Sequence, residues 1–98
     1  MEKMHLQPES VFKFFYQICE IPHGSKNEGA ISAFLQEFGK NLGYETVADS
    51  VGNVLIKKPA APGYENRKTI ILQSHMDMVC DKRPDVVHDF TKDAIKPW

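Results

Sequence analysis

Thr69-Ile70-Ile71-Leu72-Gln73-Ser74 is the stretch that decides the fold, because it is continuously apolar over its centre. Strands with one wet face alternate apolar and polar residues, whereas a strand covered on both faces reads as an unbroken Ile/Val/Leu run. The stretch therefore predicts a buried central strand of an α/β sheet. It is followed at once by His75-Met76-Asp77-Met78-Val79-Cys80. In open α/β sheets ligands bind beyond the carboxyl ends of the strands, so a site is expected here.

Working back towards the start, Val54-Leu55-Ile56-Lys57 and Tyr44 to Ala48 read as two short strands. Asp49-Ser50-Val51-Gly52-Asn53 between them is a turn cluster, which predicts a hairpin. Pro59-Ala60-Ala61-Pro62-Gly63 opens a loop that runs to Lys68. Ahead of the hairpin, Ile31, Phe34, Leu35, Phe38 and Leu42 repeat at helical spacing, with Gly43 placed to close the helix in the left-handed conformation. Ser25 followed by Glu28 reads as a capping box at its start. A first helix is expected over about Pro8 to Glu20: Pro8 suits the first helical position, and Val11, Phe14, Phe15 and Ile18 form one apolar stripe that ends before Pro22. The connection Ile21-Pro22-His23-Gly24-Ser25 is tight, and a His beside Gly in such a loop reads as a solvated residue rather than a ligand.

Composition narrows the function classes. The 98 residues carry 12 Lys+Arg against 13 Asp+Glu, a net charge of −1. That balance provides no basic footprint for nucleic acid. With 42% hydrophobic and 26% charged residues the chain reads as an ordinary soluble globular protein. No apolar run approaches the roughly 18 residues of a membrane span, so no membrane partner is expected. Met1-Glu2-Lys3-Met4-His5 lacks the apolar core of a signal peptide, and two Cys cannot make a disulfide scaffold, which together predict a reduced, cytoplasmic protein. The polar run 81–98, with no periodic apolar face, is expected to be a poorly ordered tail or the run-up to further chain.

His75 and Asp77 lie at i and i+2, which in an extended segment places them on one side. Imidazole is the commonest transition-metal ligand, and its second nitrogen usually donates to a carboxylate that fixes the tautomer. On bare spacing a second reading stands beside this one: His75 ends the strand and Asp77 begins a turn. Cys80 reads as a small buried apolar residue, and Met76 and Met78 as core or pocket wall. Asp85, His88 and Asp89 have donor atoms, but nothing in the polar tail preorganises them.

The string Ile70 to Val79 resembles the metal-site signature of the M20 metallopeptidases, and within them the bacterial aminoacyl-histidine dipeptidases, also called cytosolic nonspecific dipeptidases or peptidase D. The likeness extends in order to Ile18-Cys19-Glu20-Ile21-Pro22-His23, Val51-Gly52-Asn53-Val54-Leu55-Ile56, Lys58-Pro59-Ala60 with Glu65-Asn66-Arg67-Lys68, and Val87-His88-Asp89-Phe90-Thr91-Lys92-Asp93. The resemblance implies an α/β fold, the N-terminal part of a zinc-exopeptidase-like α/β/α catalytic domain occupying 1–98. It implies that His75 is the histidine that ligates one zinc of a pair, and that Asp77 is the aspartate of the catalytic centre that orients this histidine. It further implies two zincs per full-length enzyme and a dipeptide substrate, Xaa-His among them. The family's bridging aspartate, its Glu-Glu pair and its last histidine lie in segments that do not occur in these 98 residues. The chain by itself is therefore expected to be inactive and to bind no zinc tightly, zinc taking three or four protein ligands. A different class of reading is a non-catalytic binding or dimerisation module, a homo-oligomer formed through an exposed sheet edge.

Overall fold

The computed structural model describes residues 6–97; the charged start Met1–His5 and the final residue of the polar tail, Trp98, lie outside the described residues. The described chain runs α1 (Glu9–Cys19), α2 (Gly29–Asn41), β1 (Glu45–Ala48) and β2 (Val54–Lys57). It divides into two compact units, one made of the residues up to Ile31 together with those from Asp77 onward, the other of Ser32–Met76.

In the first unit, α1 is entered through Pro8 in an extended conformation and closed at Glu20, whose amide donates to the Tyr16 carbonyl at 3.2 Å. The helix forms where its spacing predicts, but it buries a different face. Val11, Phe14 and Phe15 are 58%, 42% and 47% exposed, whereas Tyr16 and Cys19 are buried and Phe12 is half-buried. The buried stripe is thus Phe12–Tyr16–Cys19, one residue on from the expected one and so turned by about 100°. The physical reason is that α1 is apolar around more than half of its circumference, so period alone selects no face. Ile31 completes the buried apolar set of this unit, and the Ile95 amide donates to the Cys19 carbonyl at 2.8 Å.

In the second unit, α2 ends in a Schellman arrangement: the Gly43 amide donates to the Lys40 carbonyl at 2.9 Å and the Tyr44 amide to the Gly39 carbonyl at 3.1 Å. Gly43 sits at φ +77°, the left-handed conformation expected of it. β1 and β2 pair antiparallel in the register Glu45↔Lys57, Thr46↔Ile56, Val47↔Leu55 and Ala48↔Val54, which is the expected hairpin. Its turn is held by Asp49, whose Oδ1 accepts from the amides of Val51 and Asn53 at 3.0 and 2.9 Å and whose Oδ2 accepts from Asn53 Nδ2 at 2.8 Å. Helix and hairpin come close at Gly39. A Cβ there would overlap the Thr46 hydroxyl and lie 3.0 Å from Ile56 Cγ1, so only glycine permits this approach. Ser32, 5% exposed, donates from Oγ to the Gly52 carbonyl at 2.8 Å and accepts from Gln36 Nε2 at 3.2 Å.

The expected buried central strand is not formed. Residues 69–74 carry no strand pairing among the described residues, and Ile70, Ile71 and Leu72 are 83%, 81% and 92% exposed. A strand is central when neighbours take up its backbone groups on both edges and helices cover both faces. The described residues contain one sheet, the two-stranded hairpin, in which each strand has a single neighbour and none is central. Each of these side chains thereby forgoes roughly 1.5–3 kcal/mol of burial. The two helices and the antiparallel pair of the expected architecture are present among the described residues.

Candidate functional site

The connection after α1 is built against the segment that follows His75. Gly24 and Met78 form a parallel bridge, in which the Ser25 amide donates to the Met78 carbonyl at 3.0 Å and the Met78 amide donates to the His23 carbonyl at 2.9 Å. Gly24 is buried with Cys80 Sγ packed where its Cβ would be, so a side chain at this position would push the two segments apart. The Asn27 amide closes a turn onto the Gly24 carbonyl at 2.8 Å, with Lys26 held at φ +67°. That conformation costs a residue with a Cβ about 1–2 kcal/mol.

This ladder sets the Ser25 side chain beside Asp77: Ser25 Oγ donates to Asp77 Oδ2 at 2.6 Å, with a longer 3.3 Å approach to the Met78 carbonyl. The expected capping box is therefore absent. The helix starts at Gly29, the Ser25 hydroxyl is engaged by Asp77, and Glu28 Oε1 accepts from the Lys26 amide at 2.7 Å. A capping box would use the Ser25 oxygen as an acceptor for a backbone amide; here the hydroxyl is oriented instead as a donor towards Asp77. A short bond to a carboxylate is roughly twice as strong as a bond between neutral groups, and Asp77 is delivered by chain 52 residues away. Local spacing cannot anticipate such a partner.

Asp77 is half-buried in the first unit, as are Met76 in the second and Met78 in the first; His75, in the second unit, is exposed. His23 is half-buried, and its Nδ1 lies 2.6 Å from the Ile21 carbonyl, an acceptor, so Nδ1 carries the proton. Cys80 is exposed, not buried as expected, because it lies outside the core of α1 and only its sulfur is used, to cover Gly24. Cys19 is the buried thiol; burial first, and the neighbouring Glu20 second, push its pKa up, away from thiolate chemistry.

The other donors that the sequence offers are committed elsewhere. Asp85 pairs with Arg83 at 3.5 Å, and His88 lies edge-on against Phe90 with ring centroids 4.8 Å apart. Asp89 Oδ1 accepts from the Thr91 hydroxyl at 2.6 Å and the Thr91 amide at 2.9 Å. The Thr91 hydroxyl foremost, then its amide, with Lys92 adding attraction, holds the Asp89 carboxyl below its usual range. Among the described residues no three His, Cys, Asp or Glu side chains converge as a metal site would require. His75 and Asp77 by themselves are fewer donors than the three or four protein ligands that zinc takes.

No family model matches the chain. It is 45% identical over 97 residues to the cytosol non-specific dipeptidase of Escherichia coli (strain K12), a match that covers 99% of this chain and 20% of that protein. Its backbone follows the crystal structure of aminoacylhistidine dipeptidase from Vibrio alginolyticus with a TM-score of 0.92 and 44% sequence identity, again over 99% of this chain and 20% of that one. The chain thus spans about a fifth of the length of the relatives it matches. Identity at this level, maintained from end to end and accompanied by a shared backbone, makes the chain a homologue of these dipeptidases over that fifth.

Proposed function

We propose that these residues are the N-terminal part of a metal-dependent dipeptidase that cleaves Xaa-His and other dipeptides in the cytosol. The observation that carries the reading is the end-to-end match to a cytosol non-specific dipeptidase and to an aminoacylhistidine dipeptidase. His75-Met76-Asp77 supports it at residue level, His75 as a metal ligand and Asp77 as the carboxylate that orients it. The family resemblance makes the metal zinc, two ions per full-length enzyme. Because the ligands present here are too few, no step of the reaction is assigned to these residues alone, and the 98-residue chain is inactive by itself. Such a protein takes a dipeptide as its partner and has no nucleic-acid or membrane role; among the described residues no helix is long and apolar enough to cross a membrane.

The test compares the protein expressed from the whole reading frame that contains these residues with the 98-residue chain, each assayed for release of histidine from an Xaa-His dipeptide before and after chelation. Turnover that disappears with the metal is expected from the first and none from the second. Zinc-dependent turnover by the short chain, or none by the longer protein, overturns the reading.

The exposure of Ile70, Ile71 and Leu72 favours one second reading, a non-catalytic module that pairs through this segment as a dimer or by strand exchange. A reading frame that stops at Trp98, with a concentration-dependent dimer in sedimentation, would support it over the first.

A further inference from the structure

We propose that residues 68–74 are a docking site for a chaperone of the class that clamps a peptide in extended form, between an apolar slot and an acidic rim. The inference does not rest on the dipeptidase reading. Three observations carry it. Ile70, Ile71 and Leu72 are consecutive apolar residues, each more than 80% exposed, whereas a single exposed apolar residue is ordinary. Among the described residues no backbone amide or carbonyl of 68–74 is bonded to another backbone group, so the chain here can pair along its length with a partner. Arg67 and Lys68 stand at one end, and 66–74 holds no acidic residue, so the stretch is positively charged and complements an acidic rim.

A second copy of the chain matches the segment less well. Pairing 68–74 with itself covers one edge and leaves both faces wet, and it supplies far fewer than the roughly 20–30 residues a side of a stable interface. A two-stranded pair alone is marginal in water. A membrane surface takes an amphipathic helix, and 68–74 forms no helix. A cleft that closes round the chain answers all three observations. Held extended, the segment sends Ile70 and Leu72 to one side and Ile71 to the other, so only an enclosing partner buries the three together. Such a partner binds while the segment is exposed and is excluded once it is covered.

The test titrates the unlabelled 98-residue chain against a fluorescent apolar peptide held by a purified, ADP-bound heat-shock chaperone of the peptide-clamping class. Falling anisotropy reports displacement. The native chain is expected to displace the peptide, and Leu72→Ser to do so about tenfold more weakly or worse. Lys68→Glu is expected to weaken displacement about threefold at low salt and little at high salt. Val87→Asp, which removes a 99% exposed apolar side chain elsewhere, is expected to behave as native. Unfolding exposes more apolar chain and strengthens capture, so a weakened variant is not explained by misfolding. The proposal is overturned if the native chain displaces nothing, if Leu72→Ser or Lys68→Glu at low salt matches native, or if Val87→Asp is weakened as much as Leu72→Ser. A concentration-dependent dimer in sedimentation that Leu72→Ser abolishes would assign the segment to a second copy. Co-sedimentation with phosphatidylserine vesicles that Leu72→Ser abolishes would assign it to a membrane; either result also overturns the proposal. No readout requires catalysis, so a failure of the dipeptidase reading and a failure of this one are separable.

Discussion

Ser32 and Gly52 are joined by a hydrogen bond of 2.8 Å from the serine hydroxyl to the glycine carbonyl, which ties helix α2 to the hairpin turn 20 residues further along the chain. Ser32 is 5% exposed, so its removal leaves the carbonyl poorly solvated and Gln36 without its acceptor. Ser32→Ala is expected to lower stability by about 1–2 kcal/mol, read as a lower urea midpoint at unchanged slope.

Gly39 opposes two effects that can be weighed. Alanine gains up to about 1 kcal/mol in helix propensity, yet its Cβ overlaps the Thr46 hydroxyl and presses on Ile56, for which overpacking costs about 1–3 kcal/mol. Gly39→Ala is therefore expected to destabilise. Gly29→Ala, in the same helix with nothing within 4 Å, is expected to be neutral or stabilising. Thermal unfolding of the two variants side by side checks the sign of each.

Lys26 holds a left-handed backbone at φ +67°, which is costly for a residue with a Cβ. Lys26→Gly relieves about 1–2 kcal/mol of strain and loses up to about 1 kcal/mol to the freer unfolded chain. A rise in Tm of about 2–6 °C is expected; a fall would show that the strain is absent.

Asp49 makes the hairpin turn sensitive to acid. The Asn53 side-chain amide first, the Asn53 backbone amide next, and the amides of Val51 and Gly52 hold its pKa below the ordinary 3.8, burial acting the other way. Its contribution is therefore fully present above the unfolded value of 3.8 and is lost as pH falls through the lower folded value. The Val51 and Asn53 amide resonances are expected to move in one step centred below 3.8 as pH is lowered, and Asp49→Ala to remove that step.

Leu72, 92% exposed, carries little of the stability of these 98 residues. Leu72→Ala is expected to change it by no more than about 0.5 kcal/mol. In the protein expressed from the whole reading frame the same substitution is expected to cost about 2–5 kcal/mol, as for a buried leucine. Equal effects in the two would place the segment outside any core.

Helix period, helix closure and turn chemistry are local, and most of what they spell is present in the structure. Of the stripe Ile31, Phe34, Leu35, Phe38 and Leu42, the first four lie in α2 and are buried or half-buried, whereas Leu42 falls just past the helix end at Asn41 and is 52% exposed. Gly43 closes that helix in the left-handed conformation, and the turn residues Asp49–Asn53 join two paired strands. The contact of Ser25 with Asp77 was not legible, because a serine three residues before a glutamate has a cap as its nearest local use.

By itself the sequence determined two helices, a hairpin and kinship to the dipeptidases, since period, turn chemistry and a run of matching residues are all carried along the chain. Only the tertiary structure decided which face of α1 is buried, which carboxylate takes the Ser25 proton, and that Ile70, Ile71 and Leu72 stand exposed. Those outcomes depend on which groups are brought near from far along the chain. An apolar run specifies that it can be buried, and its neighbours specify whether it is.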